Sequence, residues 1–214
     1  MSEALFAFDK NWREKGFFFL AGVDEAGRGP WAGPVAAAAV VLKPESHWPD
    51  LNDSKKISPA TRNRLFEEIS REALFFSVQL VSPDVIDKKN ILQATFLAMT
   101  QAVKGLGKEP SLILVDGNQR IPHLPARMQE PVIGGDGKSA SIAAASILAK
   151  VTRDRWMAEA HRQFPHYNFA GNKGYGTPDH AEALRRYGPS PIHRKSFAPV
   201  RAVLAPELPF EPVA

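Results

Sequence analysis

Residues 17–42, FFFLAGVDEAGRGPWAGPVAAAAVVL, predict two neighbouring strands and the turn that joins them. Two apolar runs, 17–23 and 35–42, have the composition of buried strands, because a strand covered on both faces needs no polar alternation. Between them, residues 27–34 contain three glycines and two prolines, which is typical of a turn. We expect Asp24 and Glu25 to follow the first strand directly and to precede this turn.

Farther along the chain, strand patterns alternate with helical ones. Ser58 and Pro59 predict the cap and first residue of a helix. Strands are expected at 74–81 and 112–115, and helices at 90–103, 138–164 and from Pro178 to Gly188. Small residues at the start of the longest helix, Ala140 and Ala143 to Ala145, permit close packing. The pattern predicts an α/β protein with a central mixed β-sheet flanked by helices and a small helical C-terminal element.

Composition excludes several classes of protein. The chain has 214 residues, 44% of them hydrophobic, and no cysteine, so a disulfide framework, a thiolate zinc site and a Cys nucleophile are impossible. No apolar run reaches the about 18 to 20 residues of a membrane helix. The N-terminus lacks the pattern of a secretory signal. We therefore expect a soluble, cytoplasmic protein without a membrane partner. Separately, we expect a monomer.

We expect one domain over residues 1–214, with a core at about 17–170, a basic C-terminal element at about 171–204 and a flexible tail at 205–214. The net charge is +4, and five basic residues without an acid between them contribute +5, so the rest sums to −1. This concentration suits a polyanion such as nucleic acid, although a solvated basic face explains it equally well. The five are Arg185, Arg186, Arg194, Lys195 and Arg201.

Two phosphate-binding motifs fail on inspection. Residues 27–32 match the G-x-G-x-x-A dinucleotide pattern, but that fingerprint must open a helix, and Pro30, Pro34 and a strand-like run follow. Residues 132–139 end like a P-loop, but Val132 stands where the first glycine is required. Neither motif therefore predicts a nucleotide cofactor.

Acidic residues occur where predicted strands meet loops: Asp24, Glu25, Asp116 and Asp136. Each alone can cap a turn. If the sheet brings them together, they repel one another and need cations between them. Oxygen ligands without cysteine or a spaced histidine pair select Mg²⁺ or Mn²⁺, and two such ions can hydrolyse a phosphodiester. Neighbouring strand residues point to opposite faces, so Asp24 and Glu25 share a site only if the chain turns there or if backbone carbonyl groups also ligate.

The six histidines form no convincing ligand set. We expect surface or structural roles for them. His180, close in sequence to Tyr175, is the one most closely connected with a candidate site.

Residues 21–30, AGVDEAGRGP, resemble a block of ribonuclease HII, the type 2 ribonuclease H family. Further blocks resemble the family in the family's order, so that the likeness covers about residues 17–200. These blocks are 52–56 (NDSKK), 115–118 (VDGN), 135–136 with 143–151 (GD and AAASILAKV), 174–177 (GYGT) with His180, and 188–191 (GPSP).

This resemblance implies an RNase H-like fold and a metal-dependent endonuclease. The implied activity is hydrolysis of the RNA strand of RNA–DNA hybrids and incision at the 5′ side of ribonucleotides embedded in duplex DNA, as in ribonucleotide excision. Two Mn²⁺ or Mg²⁺ ions are implied with substrate, leaving 5′-phosphate and 3′-hydroxyl ends. The implied partners are RNA–DNA hybrids and DNA duplexes containing ribonucleotides.

The resemblance also assigns residues by motif position. The four catalytic, metal-binding carboxylates correspond to Asp24, Glu25, Asp116 and Asp136. The loop that recognises the ribonucleotide and the junction phosphate corresponds to Gly27, Arg28 and Gly29. Tyr175 matches a tyrosine that packs on the deoxyribose beyond the junction, and Lys55 matches a substrate-contacting lysine. Gly134-Gly135 stand where relatives often have Lys-Gly, a departure that concerns a backbone or phosphate contact and not the carboxylate.

Two alternative functions are also compatible with the sequence. A nucleic-acid-binding module could keep the fold without the chemistry, but clustered acids facing phosphates bring a pure binder no benefit. Another nuclease or resolvase on the same fold would share the carboxylates without needing Gly27–Gly29 or Tyr175.

Overall fold

A five-stranded mixed sheet organises the computed structural model, which describes residues 2–204. Its strands lie in the order β3-β2-β1-β4-β5. The pairs β1–β2 and β2–β3 are antiparallel, whereas β1–β4 and β4–β5 are parallel, which confirms the mixed sheet. The strands are β1 (Leu20–Ala26), β2 (Val35–Val41), β3 (Phe75–Val81), β4 (Leu112–Asp116) and β5 (Gln129–Val132).

Helices cover both faces of this sheet. They are α1 (Ser2–Glu14), α2 (Pro59–Glu72), α3 (Pro83–Lys89), α4 (Ile91–Lys104), α5 (Ala140–Gln163), α6 (Phe169–Asn172), α7 (Pro178–Tyr187) and α8 (Ala198–Leu204). Side chains of β2 alternate between a cluster packed against α5 and one packed against α4. Burial on both faces is the reason that β2 is apolar throughout.

Helix α5 lies directly on β1, as its small residues predict. A Cβ atom placed on Gly22 of β1 would come within 2.1 Å of the carbonyl carbon of Ser141, so only glycine permits this approach. The beginning of α5 is held by the buried carboxylate of Asp9 in α1. That carboxylate accepts hydrogen bonds from the Ser139 hydroxyl (2.6 Å) and from the Ser141 amide (2.8 Å). The packing therefore lays α5 along β1, so that Ser146, in a later turn of the helix, reaches Asp24 near the end of the strand.

The predicted bounds of the first strand are wrong by three residues. Phe18 is 78% exposed, and Phe17 packs on Trp12 outside the sheet, so β1 begins at Leu20. At its other end β1 continues through Ala26, because the antiparallel partner β2 extends that far. Asp24 and Glu25 thus lie within the strand rather than after it, opposite Ala38 and Ala37.

The other predicted strands and helices form within a few residues of their expected bounds. Four helices, α1, α3, α6 and α8, were not predicted, and neither were the bounds of the edge strand β5 with its Pro131. The predicted tail, 205–214, lies outside the described residues. None of the helices within residues 2–204 is long and apolar enough to span a membrane.

Residues near the C-terminus are joined to the turn after β1. Ala32 forms an isolated bridge with His193, and the Arg194 amide donates to the Trp31 carbonyl at 2.8 Å. Arg194 is fully buried, so the expectation that it belongs to a basic surface suited to a polyanion is wrong. Arg185, Arg186, Lys195 and Arg201 are exposed.

Candidate active site

The parallel pairing of β1 and β4 brings the predicted acids to one edge of the sheet. Val23 lies opposite Val115, so Asp24 and Asp116 come next on neighbouring strands. Asp136 lies in a short 3₁₀ turn, Gly135–Gly137, just after β5. The Gly135 amide donates a 2.6 Å hydrogen bond to Oδ1 of Asp116, which ties this turn to the end of β4.

A cavity of about 380 Å³ opens at this edge. Eight of the nine predicted site residues line it, and Asp136 lies beside it rather than in its wall. Its lining comprises Asp24, Glu25, Ala26, Gly27, Arg28, Gly29, Ser54, Lys55, Asp116, Ser146, Lys150 and Tyr175. The fold thus collects residues from β1, β4, α5 and three loops around one groove.

Asp24 and Glu25 reach the same cavity although they are neighbours on a strand. The Glu25 amide donates to Oδ1 of Asp24 at 2.7 Å, and Oε1 of Glu25 lies 3.3 Å from Nη1 of Arg28. Glu25 also borders a second, smaller cavity with Thr95 and Asn118. The chain turns at Gly27, where φ is +93°, and not between the two acids. Both side chains therefore reach the cavity because they lie near the end of β1, where the cavity opens.

Burial and mutual repulsion oppose ionisation of these carboxyl groups. The pKa of Asp24 is raised well above its usual value by burial and then by Glu25 and Asp116, against hydrogen bonds from the Ser146 hydroxyl and the Glu25 amide. Burial raises the pKa of Glu25, and Arg28 offsets part of that rise. Burial and then Asp116 raise the pKa of Asp136. A cation at this edge would relieve the repulsion.

The donor atoms fit a hard divalent cation, because the acidic residues at this edge present only carboxylate oxygens. Among residues 2–204, no three acidic or histidine side chains are close enough to hold one ion between them. The carboxyl groups still raise one another's pKa values, because electrostatic repulsion acts over longer distances than metal ligation does.

The groove has a wall of glycine backbone and an aromatic ring. Gly27 is buried while Arg28 and Gly29 are exposed, and Tyr175 is 45% exposed. A Cβ atom on Gly29 would lie 3.7 Å from Cε1 of Tyr175, so loop and ring are close neighbours. Lys55 extends from another loop and is exposed. Peptide groups, an aromatic face and two cations are thus available to a nucleic-acid strand.

Three polar residues in the lining, Ser54, Ser146 and Lys150, were not predicted individually from the sequence. The hydroxyls of Ser54 and Ser146 are 3.0 Å apart, and Ser146 also bonds Asp24. Nζ of Lys150 lies 2.7 Å from Asp154, and burial lowers the Lys150 pKa. Ser146 and Lys150 are four apart on α5, so helical spacing within residues 143–151 was the available signal.

The sheet is RNase H-like, and acidic residues lie at the ends of neighbouring parallel strands, beside a glycine loop and cations. This combination defines a class of nucleases. A family model described as Ribonuclease HII matches residues 21–200, and the chain belongs to that family.

Individual proteins agree with this assignment. The chain is 53% identical to the ribonuclease HII of Endomicrobium trichonymphae over 96% of this chain and 97% of that protein. It is 57% identical to that of Burkholderia pseudomallei (strain 1710b), over 85% of this chain and 84% of the other. The crystal structure of ribonuclease H2 from Pyrococcus horikoshii OT3 superimposes with a TM-score of 0.73 at 28% identity, covering 86% of this chain and 96% of that one.

The RNase H-like fold is therefore confirmed, as is the resemblance on which it was expected. Members of the family are metal-dependent ribonucleases, hydrolases that degrade the RNA of RNA–DNA hybrids. This decides against the binding module and against an unrelated nuclease or resolvase on the same fold.

Proposed function

We propose that this ribonuclease is an endonuclease that incises at the 5′ side of ribonucleotides embedded in duplex DNA, as well as within RNA–DNA hybrids. The observation that carries the proposal is the meeting of acids, glycine loop and Tyr175 around one groove. Products with 5′-phosphate and 3′-hydroxyl ends follow from attack of water on the phosphorus with departure of the 3′ oxygen.

The groups that would hold two Mg²⁺ or Mn²⁺ ions are the carboxylates of Asp24, Glu25, Asp116 and Asp136. When bound, such ions supply activation of the attacking water and stabilisation of the leaving oxygen. The chain's own contribution is to keep these carboxylates at adjoining strand ends, where a bound cation would relieve their mutual repulsion. Ser146 orients Asp24 by donating to it.

The substrate contacts follow from chemistry available in the groove. Only the 2′-hydroxyl distinguishes RNA from DNA at one nucleotide, and Gly27 and Gly29 let peptide groups approach it closely. The flat ring of Tyr175 suits a sugar without that hydroxyl and crowds one that has it. Arg28 and Lys55 contact phosphates, which positions a duplex without selecting its sequence. The exposed cations of the C-terminal segment add affinity that falls with salt.

The test is incubation of the purified protein with a labelled DNA duplex carrying one ribonucleotide, in Mg²⁺, Mn²⁺ and EDTA, beside an all-DNA duplex. We expect one incision, at the 5′ side of the ribonucleotide and only with metal. Asp24→Asn and Asp116→Asn should abolish it while the circular dichroism spectrum is retained. Cleavage by either variant at the wild-type rate contradicts the assigned roles, and binding without incision in any metal contradicts the proposed activity.

We also propose that the protein acts as a monomer in the cytoplasm, in ribonucleotide excision. Size-exclusion chromatography with light scattering tests the first part, and a mass near twice the 23.5 kDa of one chain would refute it.

A further inference from the structure

Beneath the groove lies a buried cation that no carboxylate of the described part of the chain contacts directly. Arg194 is fully buried and, in residues 2–204, makes no ion pair. Its guanidinium donates to the Gly27 carbonyl at 2.6 Å and to that of Arg28 at 2.9 Å. It also donates to the carbonyls of Gly33 (2.9 Å) and Pro34 (3.1 Å). All four acceptors belong to the turn between β1 and β2.

Anchoring these carbonyls also sets the direction of the amides that follow them. In a planar trans peptide the carbonyl and the next N–H point to opposite sides. With the Gly27 and Arg28 carbonyls turned down to Arg194, the N–H groups of Arg28 and Gly29 point away from Arg194, on the side of the groove that these residues line. Arg194 thus orients the peptide donors of the glycine loop.

His193, the adjacent residue, is connected to the opposite wall. Its Nδ1 accepts from the Ser190 amide at 2.9 Å, so its proton is on Nε2 in the neutral form. Nε2 of His193 lies 2.9 Å from Nε2 of His180, whose Nδ1 lies 2.8 Å from the Tyr175 carbonyl. Because a carbonyl only accepts, Nδ1 of His180 carries the proton and its Nε2 is free to accept. The two neutral rings therefore form one directed chain from Ser190 to Tyr175.

The chain of bonds is rigidly enclosed. Both imidazoles are buried, among the rings of Tyr167 and Phe169. The Trp31 ring also packs on His180, with ring centroids 5.4 Å apart. Displacement of either imidazole would therefore move the backbone that carries the Tyr175 ring.

We propose that His193 and Arg194 act together as the positioning element that sets the glycine loop and Tyr175 at their working separation across the groove. Arg194 holds the loop, and His193 holds Tyr175 through His180. This inference rests on the proposed function, since it concerns how the groove recognises a single ribonucleotide. Neither residue touches substrate, so both are positioning residues rather than catalytic ones.

The test compares five variants with the wild type on two substrates, a duplex with one ribonucleotide and a long RNA–DNA hybrid, by kcat and KM. Tyr175→Ala removes the ring itself. His193→Leu removes the donor to His180, whereas His193→Gln keeps an N–H donor. Arg194→Lys keeps the charge and loses the planar fork. Val103→Ala truncates a buried side chain of α4 that belongs to a different core cluster from the one around the two imidazoles, and serves as the control for lost stability.

We expect His193→Leu to behave like Tyr175→Ala, with a loss of kcat about tenfold or more larger on the single ribonucleotide than on the hybrid. His193→Gln should restore most of that difference. Arg194→Lys should lower kcat on both substrates, because the loop contacts a 2′-hydroxyl in each. Val103→Ala should lower only the melting temperature.

A double-mutant cycle decides whether His193 acts through Tyr175. If it does, His193→Leu costs little in a Tyr175→Ala background. Additive losses, or a selectivity for His193→Leu equal to that of the wild type, overturn the proposal even if Arg194→Lys does not fold. Failure of the proposed function is distinguishable, because the wild type would then leave the single ribonucleotide uncut while it still cleaves the hybrid.

Discussion

Replacing Gly27 by alanine tests whether the glycine loop depends on the buried arginines below it. Gly27 has φ of +93°, which favours glycine, and an added Cβ would lie 2.0 Å from Nε of Arg153. Arg153 is itself buried and donates to the carbonyls of Pro34 at 2.9 Å, Lys173 at 3.0 Å and Ala32 at 3.1 Å. The methyl group therefore cannot be accommodated without moving a guanidinium that binds three carbonyls and joins two chain segments.

The expected loss of stability can be worked out from two contributions. An alanine in this backbone conformation costs about 1 to 3 kcal/mol. Displacing Arg153 from one of its carbonyls leaves a buried polar group unsatisfied, at about 1 to 3 kcal/mol. The sum, about 2 to 6 kcal/mol, is a large part of the about 5 to 15 kcal/mol that stabilises a typical domain.

Gly29→Ala is the matched control, two residues away in the same loop. Its φ lies outside the left-handed region, and the added Cβ would meet only Cε1 of Tyr175, at 3.7 Å. We expect its free energy of unfolding to stay within about 1 kcal/mol of the wild type. Its cleavage of a duplex with one ribonucleotide should fall, since the methyl group occupies the space between loop and ring.

Urea unfolding followed by circular dichroism, in EDTA and at one pH, measures both variants. A lower midpoint for Gly27→Ala, with an unchanged m-value, is the expected result. Equal midpoints for Gly27→Ala and Gly29→Ala would refute the reasoning, because the clash with Arg153 would then cost nothing.

Three further predictions concern charges in the fold. Asp24→Asn should abolish cleavage and, in EDTA at neutral pH, raise the melting temperature. The reason is that the pKa of Asp24 is raised in the folded protein, so its ionised form destabilises the fold. An unchanged or lower melting temperature contradicts this prediction. Burial and His180 lower the pKa of His193 to about 4, so the neutral ring stabilises the fold above about pH 6.5. That stability, about 3 kcal/mol, should be lost as the pH falls from about 6.5 to 4, and urea titrations should show a shallower loss for His193→Gln. Asp9→Ala should lower the free energy of unfolding in urea by about 2 to 4 kcal/mol, because it removes the buried acceptor of the Ser139 and Ser141 hydroxyls and of the Ser141 amide. A loss below about 1 kcal/mol would show that water replaces the carboxylate.

Local patterns predicted the elements that carry their own signals. Ser58 caps α2 by accepting from the Thr61 amide, and Asn90 caps α4 by accepting from the Gln93 amide, as short-range chemistry requires. By contrast, β5 has only four residues and contains Pro131, so it exists because β4 offers a parallel partner. The first strand ends later than predicted for a similar reason, because its pairing with β2, and not the extent of the apolar run, defines where it ends.

The sequence by itself determined the α/β class, the order of most elements and the identity of the acidic and glycine residues at the groove, because these depend on periodicity, turn chemistry and contiguous motifs. Only the tertiary structure decided how those residues converge and what holds them there. Asp24 and Asp116 are 92 residues apart in the chain and become neighbours through the parallel register of β1 and β4. Arg194 looked like one more surface cation and proved to be buried under the loop. Burial and long-range pairing are properties of the assembled packing, which no local pattern in the chain encodes.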